Sequence, residues 1–216
     1  MRPQTDNMKY SEKQGQIIAT AERLFSNKGF DGTSVRDIAD EAGVNIAMIS
    51  YYFGSKEKLM EALFERRSED VNIQIESLLH NDDISPIKKM EELIDSYINR
   101  IMQKQQFYKI MMCEQVINKN PVIVRLIGDL KKKNIGAINK LIVDGQQKKA
   151  FKKNVDVLLL MNTLTGTITQ TMLTIDYYKE FYDLKNIPED QFLEQVKQKL
   201  SNHIKFLFKA VLSYEA

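Results

Sequence analysis

A single cysteine, Cys113, is all that the 216 residues carry. No disulfide can close within the chain, and a reducing cytoplasm is the expected setting. Proline and glycine are scarce, at 4 and 9. A β-rich fold draws on those residues for its turns, so their shortage points to helices. Apolar runs are short: the longest is Val157 to Met161, and none approaches the ~18 residues of a membrane helix. Met1 to Lys13 is polar and lacks the apolar core of a signal peptide. The two histidines, His80 and His203, stand far apart without ligand spacing, so no metal is expected. Cys113 has no base partner visible in the sequence and reads as a small packing residue. Walker loop, dinucleotide fingerprint and nucleophile elbow are all missing, so neither catalysis nor a cofactor is expected.

Charge of one sign is also lacking. The net charge is +2, and residues 1–56 are balanced. Arg2, Lys9, Lys13, Arg23, Lys28, Arg36 and Lys56 oppose Asp6, Glu12, Glu22, Asp31, Asp37, Asp40 and Glu41. A polyanion partner must therefore be argued from where individual groups sit. The short basic runs Lys131–Lys133 and Lys148–Lys149 read as solvated helix surface.

What is present is an ordinary folded composition, with 43% hydrophobic and 28% charged residues. Ser11 to Lys28 reads as a helix, with Ile17, Ala21, Leu24 and Phe25 on one stripe and Gly29 to end it. A long helix is expected from Ser55 to about His80, with Leu59, Leu63, Val71, Ile75 and Leu78 near one face, broken at Asn81-Asp82-Asp83. Pro86 after Ser85, Pro121 after Asn120, and Pro188 before Glu189 mark three further starts. Helices are expected at about 86–104, 107–118, 121–148, 154–179 and 188–213. The expectation is an all-α chain of about nine helices.

The sharpest local pattern runs from Thr33 to Phe53. Ser34 and Asp37 have capping-box spacing. Val35, Ile38, Ala39 and Ala42 then make one apolar face, and small Ala39 lets another helix cross closely. Gly43 suits a tight turn, Val44 is expected to enter the core, and Asn45 can cap the next helix. Two short helices over a glycine turn form a helix-turn-helix, whose second helix can enter a DNA major groove. Thr33, Ser34 and Arg36 would face phosphates at the first helix, and Tyr52 and Lys56 beyond the second. Asn45 opens the reading helix, and base edges would meet Ile46, Ala47, Met48, Ser50 and Tyr51. Similar helix pairs also occur in bundles that touch no nucleic acid, and Tyr51 or Tyr52 could be ordinary packing.

These residues resemble the TetR family of bacterial regulators over Ile17 to Leu63. The resemblance is carried by Ala21-Glu-Arg-Leu-Phe25, Lys28-Gly-Phe30, the Thr33 to Asp40 helix, Gly43-Val44, Tyr52-Phe53, Lys56 and Leu59. It implies a homodimer with an N-terminal three-helix DNA-binding domain, placed here at residues 1–55. A larger helical ligand-binding and dimerisation domain would occupy 56–216. By position it implies phosphate contacts at Thr33, Arg36, Tyr52 and Lys56 and groove contacts at Ala47, Met48 and Tyr51. Ser50 and Ile46 depart from the family pattern, which more often has tyrosine and a basic or polar residue there. Beyond about Glu65 the resemblance is one of architecture only.

In the C-terminal part, Phe107, Tyr108, Met111, Met112 and Gln115 fall on helical spacing as candidates for a small-molecule effector pocket. Asn162, Thr165 and Thr169 are polar candidates on a later helix. The alternatives are core packing and, for the hydroxyls, bonds to their own helix backbone. Two broad apolar faces are candidates for dimerisation through the last two helices. One carries Leu158, Leu159, Met161, Leu164, Ile168 and Met172, with Gly166 allowing close approach. The other carries Phe192, Val196, Leu200, Ile204, Leu207, Phe208 and Val211. The expected function is an effector-responsive regulator, in the repressor mode common in the family, released from palindromic operator DNA by a small apolar or amphipathic molecule. The alternative is a DNA-binding protein whose C-terminal domain engages a protein partner. No membrane partner is expected.

Overall fold

The computed structural model describes residues 10–81 and 83–214, with the side chains of 69–76 left undescribed. The expectations for Val71, Ile75 and Asp82 lie outside the described residues. Among those residues there are ten helices and no strand. They are α1 (Glu12–Lys28), α2 (Val35–Glu41), α3 (Ile46–Phe53), α4 (Lys56–His80), α5 (Pro86–Gln103), α6 (Gln105–Ile117), α7 (Pro121–Gln147), α8 (Val157–Leu173), α9 (Ile175–Phe181) and α10 (Glu189–Leu212). None is long and apolar enough to cross a membrane.

Short-range chemistry sets most of the starts. The Ser11 side chain accepts the Gln14 N–H while the Gln14 side chain accepts the Ser11 N–H, closing a capping box on α1. Ser85 caps α5 through the Lys88 N–H, with Pro86 at its first turn. Asn120 Oδ1 accepts the Val122 N–H at 3.0 Å, opening α7. Asp156 accepts the Leu159 N–H at 3.0 Å, so α8 begins after it and not at 154.

The chain divides into two compact units. The first runs to Glu69 and takes in Lys109–Asp129; the second comprises Asp70–Tyr108 and the chain from Leu130. The boundary read from the sequence at 55/56 therefore falls inside the first unit, which holds the opening turns of α4 and the halves of α6 and α7 that meet at 118–120.

In the first unit Ile17, Ala21, Phe25, Phe30, Ile38, Ile49, Leu59 and Leu63 are all buried. Phe25 and Phe30 pack with ring centroids 5.4 Å apart. Buried Glu22 on α1 meets Arg67 on α4 as a forked ion pair, with Nε 3.0 Å from Oε1.

In the second unit α5 lies against α8 and α10. Its face of Leu93, Ile94, Tyr97 and Ile98 joins Leu164 and Ile168 of α8 and Phe192, Val196, Ile204 and Phe208 of α10. Lys89, 0% exposed, donates from Nζ to the Leu79 carbonyl at 3.1 Å. A cation there satisfies one of the last-turn carbonyls of α4 and complements its dipole. Asp95 accepts from Ser201 Oγ and Lys205 Nζ, both at 2.6 Å, tying α5 to α10.

Two expectations are corrected. The single helix foreseen over 154–179 is two helices, because Thr174 leaves helical geometry at φ −110 and ψ 28. Thr165, Thr169, Thr171 and Thr174 each donate a hydroxyl to the carbonyl four residues back. Such back-bonding bends helices. The second correction concerns the apolar faces. Met161, Leu164 and Ile168, with Phe192, Val196, Leu200, Ile204 and Phe208, are buried in the core of the single chain. Leu158, Leu159 and Val211 remain exposed, together with Leu173 and Phe206.

Candidate nucleic-acid interface

The α2–turn–α3 unit is held by its own side chains. Ser34 Oγ accepts the Asp37 N–H at 3.1 Å, and the Ser34 N–H and hydroxyl both donate to Asp37 Oδ2, at 2.8 and 2.7 Å. Those two bonds from Ser34, the hydroxyl first and the backbone second, hold the Asp37 carboxyl below its ordinary pKa. Gly43 sits at φ +61, where a Cβ would be strained, and turns the chain back. Half-buried Val44 follows, and its N–H donates to the Ala39 carbonyl at 3.0 Å. Asn45 Oδ1 accepts the Ala47 N–H at 2.9 Å and starts α3. Gln16 Nε2 donates to the Ala42 carbonyl at 3.1 Å, fixing the turn to α1.

Buried Ile49 pins α3 to the core. One turn of helix geometry then sends Ile46, Ala47, Ser50 and Tyr51 outward, and all four are exposed. Tyr51 is 84% exposed on that face. Met48 and Tyr52 are half-buried at the edges of this face. Tyr52 packs edge-on against both Tyr51 and Phe53, at 5.3 and 6.3 Å. Arg36 and Ser34 are exposed on and before α2. The structure thus gathers Ser34, Arg36, Asn45, Ile46, Ala47, Met48, Ser50, Tyr51 and Tyr52 around one short helix pair.

Thr33 and Lys56 have other engagements. Thr33 is 1% exposed, and its hydroxyl donates to the Gly29 carbonyl at 2.8 Å. Lys56 Nζ donates to the carbonyls of Phe30 and Thr33, at 2.8 and 2.9 Å, and lies 4.1 Å from the Phe30 ring centre. These two residues build the α1–α2 connection in this conformation. The Thr33 partner lies only 4 positions back, whereas the Lys56 partners lie 26 and 23 positions away in sequence, beyond the reach of local pattern.

The effector candidates are less gathered. Phe107 is buried and Tyr108 half-buried in the second unit, with rings 5.8 Å apart. Half-buried Met111 and Met112 and exposed Gln115 fall in the first unit. Asn162 is exposed. The hydroxyls of Thr165 and Thr169 bond to the carbonyls of Met161 and Thr165, at 2.8 and 2.6 Å. Sequence reasoning passed over a buried polar group on α5. Tyr97 is 1% exposed, and its Oη has no hydrogen-bond partner among the described residues. Arg100 stacks 5.0 Å from the Tyr97 ring centre and is hydrogen-bonded to Tyr108. Burial pushes both phenols above their ordinary pKa.

Residues 17–63 match the family model described as bacterial regulatory proteins, tetR family. Over 87 residues the chain is 46% identical to YttP of Bacillus subtilis, a probable HTH-type transcriptional regulator, covering 40% of this chain and 41% of that protein. Over 144 residues it is 29% identical to the HTH-type transcriptional repressor NicS of Pseudomonas putida, covering 64% and 66%. The matched segments span less than two thirds of either relative. The crystal structure of the transcriptional regulator FadR from Bacillus subtilis in complex with stearoyl-CoA shares the fold, with a TM-score of 0.65 at 21% identity over 88% of this chain and 96% of that one. These relatives are named as regulators of transcription and not as enzymes.

Proposed function

We propose that the chain, whose residues 17–63 match the model of bacterial regulatory proteins of the tetR family, is a one-component transcriptional repressor of that family acting as a homodimer on palindromic operator DNA. The observation that carries this reading is the outward face of α3. Ile46, Ala47, Ser50 and Tyr51 lie exposed on a helix pinned by buried Ile49. Ala47 and Met48 suit thymine methyls, and Ser50 donates or accepts at a base edge. Ser34, Arg36 and the Tyr52 phenol flank that helix as phosphate contacts, which fix register without reading sequence. Lys56 would support them by holding the Phe30–Thr33 backbone in place.

Dimerisation supplies the second recognition helix, since two half-sites must be met ~34–36 Å apart. The exposed residues Leu159, Asn162, Gly166, Gln170 and Leu173 recur every three or four positions along α8. Phe206 and Val211 are exposed on α10. These strips replace the wider faces read from the sequence as the proposed dimer surface. Apart from its own helix backbone, no atom of the described residues lies within 4 Å of a Cβ built on Gly166, which leaves that point open to a second copy.

An effector weakens operator binding by preferring a head spacing that misses the two half-sites, and only by its differential affinity for the two states. An apolar or amphipathic molecule is the proposed class, supported by the stearoyl-CoA named in the FadR structure. A protein partner is a second reading, favoured by α9, where Tyr177, Phe181 and neighbouring Tyr182 are exposed.

Operator selection from a random duplex pool tests the proposal. A palindromic consensus, lost when a candidate small molecule is added, is the expected result. Equal recovery of unrelated sequences would sink it, and release only by a protein fraction would favour the partner reading.

A further inference from the structure

Tyr97 stands out in the second unit as a buried polar group whose hydroxyl has no partner among the described residues. Its ring belongs to the core face of α5, with Leu93, Ile94 and Ile98 around it in sequence and in the core. A phenylalanine would fill the same space without the hydroxyl. A buried donor with no acceptor weakens the fold, whereas meeting an acceptor there recovers that loss. Few buried side chains in native proteins are left this way, and such an atom calls for an explanation, a bound group among them.

The surroundings say what kind of group. The Arg100 guanidinium lies over the Tyr97 ring and is hydrogen-bonded to Tyr108. Arg100 Nη2 also reaches Ser96 Oγ at 3.4 Å. The Tyr108 phenol is near enough to raise the proton affinity of Tyr97. Both phenols, held protonated by burial, act as O–H donors at any physiological pH. A guanidinium has donors only. The cluster is therefore rich in donors around one fixed positive charge, and among acceptor groups an anionic carboxylate suits it best, because its planar pair of oxygens meets guanidinium and hydroxyl donors together and its charge opposes that of Arg100.

We propose that Tyr97, with Arg100 and Tyr108, is the anchor for the carboxylate of an amphipathic small molecule whose apolar part packs on the neighbouring core side chains. This deepens the effector reading above and rests on it for the regulatory consequence, though not for the binding itself.

The test uses the full-length protein and two readouts. Calorimetric titration with benzoate, octanoate and decanoate, against decylammonium as a donor-headed control, measures binding. Thermal unfolding without ligand measures what the hydroxyl does in the free protein. Tyr97→Phe is expected to leave the melting temperature unchanged or to raise it, because no protein partner is lost. It is expected to weaken the best carboxylate about tenfold, one charge-assisted hydrogen bond's worth, and decylammonium is expected not to bind. A melting temperature lowered by about 2–4 °C or more would mean that the hydroxyl already has a partner, a fixed water included, and overturns the proposal. So does a series in which no carboxylate binds, or one that binds Tyr97→Phe equally well. Fluorescence anisotropy on the selected operator separates the two readings. A carboxylate that binds through Tyr97 yet leaves operator affinity unchanged keeps the anchor and removes its effector role.

Discussion

Glu114 on α6 accepts the backbone N–H of Phe30 at 3.0 Å, across 84 positions of sequence. Phe30 follows the end of α1, where donors and acceptors of the helix terminus need partners. Its carbonyl in turn accepts from Lys56 on α4. One peptide segment thus receives a carboxylate on its N–H side and an ammonium on its carbonyl side, both from distant helices of the same unit.

Glu114 is 6% exposed, so its removal leaves the Phe30 N–H buried and unmet. Glu114→Ala is expected to cost about 1–3 kcal/mol. Glu114→Gln keeps an acceptor oxygen of the same reach but loses the charge, at about 1 kcal/mol. Urea unfolding followed by circular dichroism should rank the wild type above Gln and Gln above Ala. Equal midpoints for all three would refute the role.

Gly145 lies inside α7, where an alanine would ordinarily favour the helix. Here an ideal Cβ would meet the Phe151 ring at 2.0 and 2.3 Å. Phe151 is itself 0% exposed and part of the core, so it has little room to withdraw. Gly145→Ala is expected to destabilise by about 1–3 kcal/mol, as overpacking does. Gly145→Ala combined with Phe151→Ala should show non-additive loss, because the clash vanishes with the ring.

How far the sequence discloses these features depends on range. The Ser34–Asp37 box and the Asn45 cap lie within three residues of their partners, and their spacing alone announces them. The apolar stripe of α10 is equally legible as a stripe. Periodicity reports that Phe192, Val196 and Ile204 share a face but not which surface covers it, and the covering surface is α5 and α8 of the same chain. The helix ends at Thr174, whose hydroxyl bonds to the Gln170 carbonyl in a direction that no pattern of residue types fixes. Thr33 and Lys56 have the residue types of phosphate ligands; the Thr33 hydroxyl bonds to a carbonyl one turn back, and Lys56 bonds to a carbonyl that only the fold brings near.

Asp37 gives a pH signature. Two bonds from Ser34 favour its ionised form, so its folded pKa lies below 3.8, its ordinary value. A depressed acid contributes stability that is complete above the unfolded pKa and is lost as pH falls through the folded one. The contribution of this box should therefore persist at neutral pH and fade only in acid below 3.8. Side-chain carboxyl chemical shifts titrated by NMR should place the Asp37 midpoint under that value, and Ser34→Ala should move it back up. A midpoint unaffected by Ser34→Ala would contradict the assignment.

Arg36 and Lys56 should separate as two kinds of cation. Arg36 is exposed on α2, and its proposed partner is a phosphate. Arg36→Ala should leave the melting temperature unchanged, weaken binding to all duplexes alike and reduce the salt slope of log affinity by about 1. Lys56 holds the Phe30 and Thr33 carbonyls and covers the Phe30 ring. Lys56→Ala should therefore lower the melting temperature as well as DNA affinity, leaving two carbonyls at the α1–α2 connection without their ammonium. Any change in salt slope then measures how far this ammonium also faces phosphate. If Lys56→Ala changed the slope by about 1 with no thermal loss, the lysine would be a plain phosphate ligand, and its bonds to Phe30 and Thr33 would contribute nothing to the fold.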